Sequence, residues 1–178
     1  MTQEFLECTY LHDHAEAEGI LGMRIPPVWF ESASLAGTHL RQLAAGRTSQ
    51  PWLPRAIGFR NQGEMVGYIG FHTPPGPDYL KDISPQGVEF GYAVFPAFRR
   101  RGIAWEASRG LIAWAFAEYG VSSFVAMVSL GNTASLGVLS KLGFNRVGTH
   151  INHEDRFEEV FELVVSAEGP DHGYRANE

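Results

Sequence analysis

The chain has 178 residues, of which 44% are hydrophobic and 19% charged, with a formal net charge of −6. That is long enough for one domain with a real core and too apolar for a disordered chain. The acidic balance argues against a general nucleic-acid or membrane-surface binder, and the lone cysteine, Cys8, excludes an internal disulfide and fits a reducing, cytoplasmic setting.

The opening segment, MTQEFLECTYLHDHAEAEGI, carries acids and histidines where a secretory leader needs an apolar core. No run approaches the ~20 apolar residues of a membrane span. EFLECTYL reads as a first strand. PPVWFESASLAGTHLRQLAAG opens on proline and closes on glycine, the usual polarity of helix punctuation, with room for more than one short helix. RAIGFR and MVGYIGFH read as two strands joined through the turn NQGE. TPPGPDYLKDISPQG, with its four prolines, is too irregular for a strand; loops of this kind are often functional or mobile.

VEFGYAVF (88–95) is a strong strand stopped by Pro96. In GIAWEASRGLIAWAFAEYG, Ile103, Ala107, Leu111 and Ala115 make one helical stripe, ended by Gly120. VSSFVAMVS is the next strand. NTASLGVLSKLG follows as a helix, with Asn132 at its N-cap and Ala134, Val138 and Leu142 on one face. FNRVGTHIN and RFEEVFELVV close the chain as two strands around a turn at HED, and the tail SAEGPDHGYRANE (166–178) reads as frayed. The pattern predicts a single α/β (α+β) domain over residues 1–165, its sheet mostly antiparallel at the start and end.

Three arginines stand where the strand 88–95 runs into a helix, in FRRRGIAWEAS. The first amides of a helix have no carbonyl partners within it and, with the helix dipole, attract anions. Gly102 lets backbone approach a ligand without a Cβ in the way, and Ala104 stays small one step on. Arg99, Arg100 and Arg101 add charge for a phosphate. The pattern is neither a P-loop nor a Rossmann fingerprint. A plain solvated helix start remains the alternative on these residues alone. An RNA grip suits neither the net charge nor the lack of interleaved aromatics.

Arg99-x-x-Gly102-x-Ala104 after a strand, then Asn132-Thr-Ala-Ser135 and Lys141-Leu-Gly-Phe144 about thirty residues on, resemble the paired motifs of the GNAT family of acyl-CoA N-acyltransferases. The stretch EFGYAVFPAFRRRGIAWEASRGLIAWAF looks most like the branch that acetylates N-terminal amines of ribosomal proteins, whose pattern includes Glu106. The resemblance is strongest from Val88 to Phe144 and looser from about Arg55 to Val165. It implies a central mixed, mostly antiparallel twisted sheet of about six or seven strands flanked by helices. It also implies acetyl-CoA as co-substrate, a primary amine as acceptor, and no metal. A homodimer is one expectation, since dimers are common in such families.

By that resemblance the amides of Arg100, Arg101, Gly102, Ile103 and Ala104 take the coenzyme A pyrophosphate. The strand edge at Ala93, Val94 and Phe95 takes the pantetheine arm, an N–H there faces the thioester oxygen, and Asn132 touches the cofactor. Glu89 is the candidate base, acting directly or through a water. The family often places an acidic tyrosine seven residues after the motif asparagine, but here that residue is Leu139. Ser135 is the candidate donor in its stead. Without the tyrosine, an acyl-CoA-binding sensor that does not turn over is the alternative to an enzyme.

The acceptor sets the demand on the base. An α-amino group, with pKa near 7.7–8.0, is about one tenth neutral at pH 7, a cost of roughly 1 kcal/mol; a lysine near 10.4 costs roughly 4.6 kcal/mol. Trp29, Phe30, His72 and Tyr92 are candidates to frame the acceptor pocket. His12, His14, His150, His153 and Asp155 do not make a convincing metal set.

Overall fold

The computed structural model describes residues 1–59, 63–152 and 155–166. Among them are five α-helices and six strands. In chain order these are α1 (Gln3–Tyr10), α2 (His14–Leu21), α3 (Ala33–Ala44), β1 (Arg55–Gly58), β2 (Met65–Phe71), β3 (Val88–Val94), α4 (Ile103–Tyr119), β4 (Ser123–Ser129), α5 (Thr133–Leu142), β5 (Asn145–Ile151) and β6 (Phe157–Val164). The strand order is β1-β2-β3-β4-β6-β5. Every neighbouring pair is antiparallel except β3–β4, so the expected mixed, mostly antiparallel sheet is found, with six strands.

EFLECTYL is a helix, not the expected strand. Thr2 caps it, its hydroxyl accepting from the Phe5 amide at 3.2 Å, and Thr9 turns back to donate to the Phe5 carbonyl at 2.9 Å. The buried residues are Phe5, Leu6 and Thr9, a helical spacing hidden by the looser apolar run around it. α2 has no counterpart among the expected elements, although its punctuation is in the sequence. Asp13 caps it through the Glu16 amide at 3.2 Å, and Gly22 ends it in the left-handed region at φ 66°. The segment after Pro26 does divide, into a 3-10 turn (Pro27–Ser32) followed by α3.

By Cα proximity the chain falls into two compact units, Met1–Pro74 with Phe90–Leu111, and Pro75–Glu89 with the chain from Ile112 onward. The first has a core of Phe5, Leu6, Ala17, Ile25, Trp29, Phe30, Ala36, Leu53, Met65 and Phe95. Its strands pair from Phe71↔Phe90 to Gly67↔Val94, which sets the register of β3. In the second, Leu80, Val125 and Val160 form a small core with Ile83 and Met127 packed against it.

The proline-rich segment is therefore anchored. Leu80, inside a 3-10 turn (Asp78–Leu80), is fully buried, and Ser84 makes a buried hydrogen bond with Ser123, which passes it on to the half-buried Glu162. β4 meets β3 only at Val88↔Phe124 and Glu89↔Val125, whereas it pairs with β6 from Ser123↔Val164 to Ser129↔Glu158. α5 buries Leu139 rather than the predicted Ala134, which is exposed. The expected turns at NQGE and HED and the tail fall largely outside the described residues; at the second turn, Asp155 adopts φ 56°.

Candidate functional site

The strand-to-helix turn in the first unit is built as follows. β3 ends at Val94, and the Phe95 amide donates to the Val66 carbonyl at 2.9 Å. Phe95 is also buried in the core, so the strand's exit is pinned at both backbone and side chain. Pro96–Phe98 makes a 3-10 turn, and α4 begins with the Glu106 amide donating to the Gly102 carbonyl at 3.0 Å. Between them the backbone takes two left-handed residues, Arg100 at φ 63° and Gly102 at φ 80°. A left-handed arginine costs roughly 1–2 kcal/mol, which the flanking anchors sustain.

The turn's amides are the feature that bears on a ligand. Among the described residues, no protein group accepts from the amides of Arg100 through Trp105. A Cβ built on Gly102 would meet nothing within 4 Å, so the space above these donors is open. Unpaired amides at a helix start, turned about left-handed residues, suit an anion with several oxygens, such as a diphosphate.

The arginines do not contribute equally. Arg99 Nε donates to the Val94 carbonyl at 3.0 Å. Arg101 donates to the Ala97 carbonyl at 3.3 Å and lies over the Phe98 ring at 5.7 Å. Both heads thus stabilise the turn itself, while Arg100 is exposed. The Phe95 amide is likewise spent on Val66, and in the same register the Ala93 backbone is turned toward β2, its carbonyl oxygen beside Gly67.

In the second unit Glu89 lies in β3 opposite Val125 and is 7% exposed. Asn132 caps α5, its Oδ1 accepting from the Ser135 amide at 3.2 Å. The cap uses one oxygen only; Asn132 is exposed and Ser135 is half-buried. Leu139, at the family's tyrosine position, is 1% exposed and serves as packing.

The predicted acceptor residues separate. Trp29 and Phe30 are core side chains at 0% and 3% exposure. The Trp29 indole N–H donates to Thr9 Oγ1 at 3.0 Å, and its ring meets Tyr68 edge-on at 5.1 Å. His14 stacks on Phe30 at 3.6 Å, which gives that histidine a packing role. Tyr92 is half-buried in β3, its ring 6.2 Å from Phe90. His72 is exposed just after β2, with Nε2 2.8 Å from where a Gly91 Cβ would stand. Among the described residues no group of three or more His, Cys, Asp or Glu could hold a metal ion; His153 lies outside them.

Two polar residues here were not singled out from sequence. His39 is 4% exposed on α3, and burial first, then the His72 charge, push its pKa down to about 4, with Gln42 partly opposing. Gln42 lies three residues on, and its Nε2 donates to the His72 carbonyl at 3.1 Å. The spacing of His39 and Gln42 was visible, but nothing local marks that face as buried.

Known proteins carry the same architecture. In sequence the chain is 31% identical over 108 residues to an FsC-acetyl coenzyme A-N(2)-transacetylase of Aspergillus fumigatus, covering 61% of this chain but only 46% of that protein. In structure it is similar to a ribosomal-protein-S5-alanine acetyltransferase from Vibrio fischeri, with a TM-score of 0.58, 13% identity, and 83% and 80% of the two chains covered. It is also similar to the microcin C7 self-immunity acetyltransferase, solved in complex with acetyl-CoA and AMP, with a TM-score of 0.59, 16% identity, and 92% and 89% covered. These two likenesses establish the fold. The model of the acetyltransferase (GNAT) domain family matches residues 14–145, spanning both the arginine turn and the Asn132 cap, and the chain belongs to that family.

Proposed function

We propose that this chain is an N-acetyltransferase that moves an acetyl group from acetyl-CoA to a primary amine. The observation that carries the reading is the run of amides from Arg100 to Trp105 under the open space at Gly102. That run fits the pyrophosphate of coenzyme A. Acetyl-CoA supplies an acetyl group activated as a thioester. Arg100 to Ala104 hold the diphosphate by amide hydrogen bonds, with Arg100 adding charge. Val94, whose amide points away from β2, offers backbone to the pantetheine arm, and Asn132, beyond its capping bond, touches the cofactor.

For the proton traffic, the family resemblance brings forward Glu89 as base and Ser135 as donor. At 7% exposure Glu89 meets an amine only through a water. Ser135 Oγ supplies the proton that the buried Leu139 cannot. On the acceptor side, likeness in fold to a ribosomal-protein alanine acetyltransferase supports an N-terminal or other α-amine. Such an amine also demands least of the base.

One observation favours the alternative of a non-catalytic acyl-CoA sensor, namely that position 139 is filled by a packed leucine. Thermal unfolding with acetyl-CoA, CoA and ATP tests the shared binding step. A ligand at a hundred times its Kd adds about 2.7 kcal/mol, which raises Tm by roughly 5–10 °C for a domain of this size. Acetyl-CoA and CoA should give that rise and ATP should not. A flat response to saturating acetyl-CoA would sink both readings, and a rise without transfer to any amine would leave the sensor.

A further inference from the structure

The side chain that meets the acceptor amine is not settled by the family match, and the first unit holds a group built for that contact. His72 is exposed, yet its ring folds back onto β3. Its Nε2 is 2.8 Å from the point where a Cβ on Gly91 would stand, and the next nearest atoms to that point also belong to the His72 ring. Glycine at 91 is thus what lets the imidazole lie against the strand. Gly91 lies three residues before Val94 in the same strand, so the ring stands over the part of β3 that leads into the stretch assigned above to the pantetheine arm.

The residue is gripped from α3. Gln42 Nε2 donates to the His72 carbonyl at 3.1 Å, and His39, three residues earlier on the same helix face, couples electrically to the His72 ring. His39 is buried, and its Nδ1 has no well-formed hydrogen bond. Two adjacent imidazoles do not both charge readily, and burial makes His39 the one that stays neutral. The exposed member of the pair is His72.

We infer that His72, in place of the Glu89 that the resemblance brings forward, is the catalytic residue that accepts the proton of the acceptor ammonium. This rests on the acetyltransferase reading. The protonated amine gives one proton to the imidazole, which passes it to solvent through its exposed edge. The neutral amine forms the C–N bond to the acetyl carbon as the C–S bond breaks. The second amine proton leaves and balances the CoA thiolate. Imidazole is a side chain that titrates near neutral pH, so it matches an α-amine near 8 far better than a lysine near 10.4. The expected acceptor class is therefore α-amines.

The test uses the full chain as wild type, His72→Gln, Gly91→Ala and Glu89→Gln. Acetyl-CoA binding is measured first, by calorimetry; if wild type does not bind, the acetyltransferase reading fails, not this one. Transfer to a short peptide beginning in alanine is then followed against pH. His72→Gln should lose roughly 10²–10⁴-fold in kcat and the acid limb of the profile, with acetyl-CoA Kd unchanged. Gly91→Ala, which displaces the ring without removing it, should lose rate with the same Kd. A His72→Gln rate within threefold of wild type, or an acid limb that persists there and vanishes in Glu89→Gln, overturns the proposal. Independently of turnover, the ¹³C-histidine NMR signal that His72→Gln removes should move when alaninamide is added to CoA-saturated protein. An unmoved signal overturns it too.

Discussion

Ser84 Oγ lies 2.6 Å from Ser123 Oγ, and Ser123 in turn donates to Glu162 Oε1 at 2.7 Å. A hydroxyl has one proton, so Ser84 must be the donor in the first contact. The chain of bonds runs from the proline-rich segment through β4 to β6. It explains why a stretch that reads as a mobile loop is held. Ser123→Ala removes the acceptor of Ser84 and one donor of Glu162 together. We expect a loss of about 1–3 kcal/mol, seen as a lower urea midpoint with an unchanged m-value. An unchanged midpoint would mean that the contact stabilises nothing.

His39 should make stability depend on pH. Its folded pKa is pushed down to about 4 from an ordinary 6.5, by burial and then by the neighbouring His72 charge. The unfolded chain therefore binds the extra proton first as pH falls. The contribution is complete above 6.5, declines through the window from 6.5 to 4, and is flat below. It amounts to roughly 3 kcal/mol across that window. Denaturant midpoints of wild type and His39→Leu, measured from pH 8 to 4, should converge or cross as the wild type loses stability. Parallel curves would count against a buried neutral imidazole.

Gly102→Ala separates backbone strain from ligand space. At φ 80° an alanine is strained by about 1–2 kcal/mol, yet its Cβ meets nothing within 4 Å. The free protein should fold with a Tm lower by a few degrees. Affinity for CoA, measured by calorimetry, should fall at least tenfold, because the methyl group enters the space over the turn amides. Equal affinity would place the diphosphate elsewhere.

Gly67→Ala should behave differently from Gly91→Ala. A Cβ on Gly67 would collide with the Ala93 carbonyl oxygen and approach the Val94 Cα to 3.1 Å. These are backbone atoms of the paired strand, Gly67↔Val94, and cannot swing aside. We expect about 3 kcal/mol of destabilisation or failure to fold. At Gly91 only a side chain stands in the way, so the Tm should stay near that of wild type while the ring moves. Circular dichroism melts of the two variants check the contrast.

The stretch from Val88 to Phe144 was legible because its information is local. Strand-forming residues, a proline stop, helical spacing, a capping asparagine and terminal glycines each act within a few residues. The order of elements from the first hairpin onward followed, as did the amide-rich turn at Gly102. At the N-terminus the same local logic failed. Phe5, Leu6 and Thr9 suit a helix, but the surrounding apolar run suits a strand equally well, and burial of that one face decided it.

What only the tertiary structure decided is which side chains face the core, because that depends on partners far along the chain. Trp29 is claimed by Thr9 and Tyr68, Leu139 by packing, and Glu89 by its place in the sheet. Arg99 and Arg101 turn back on the carbonyls of their own turn. His39 becomes a neutral buried imidazole, and the His72 ring packs over Gly91 of β3. Local periodicity writes helices and strands into the sequence, whereas burial and long-range register set the charge and reach of each polar group.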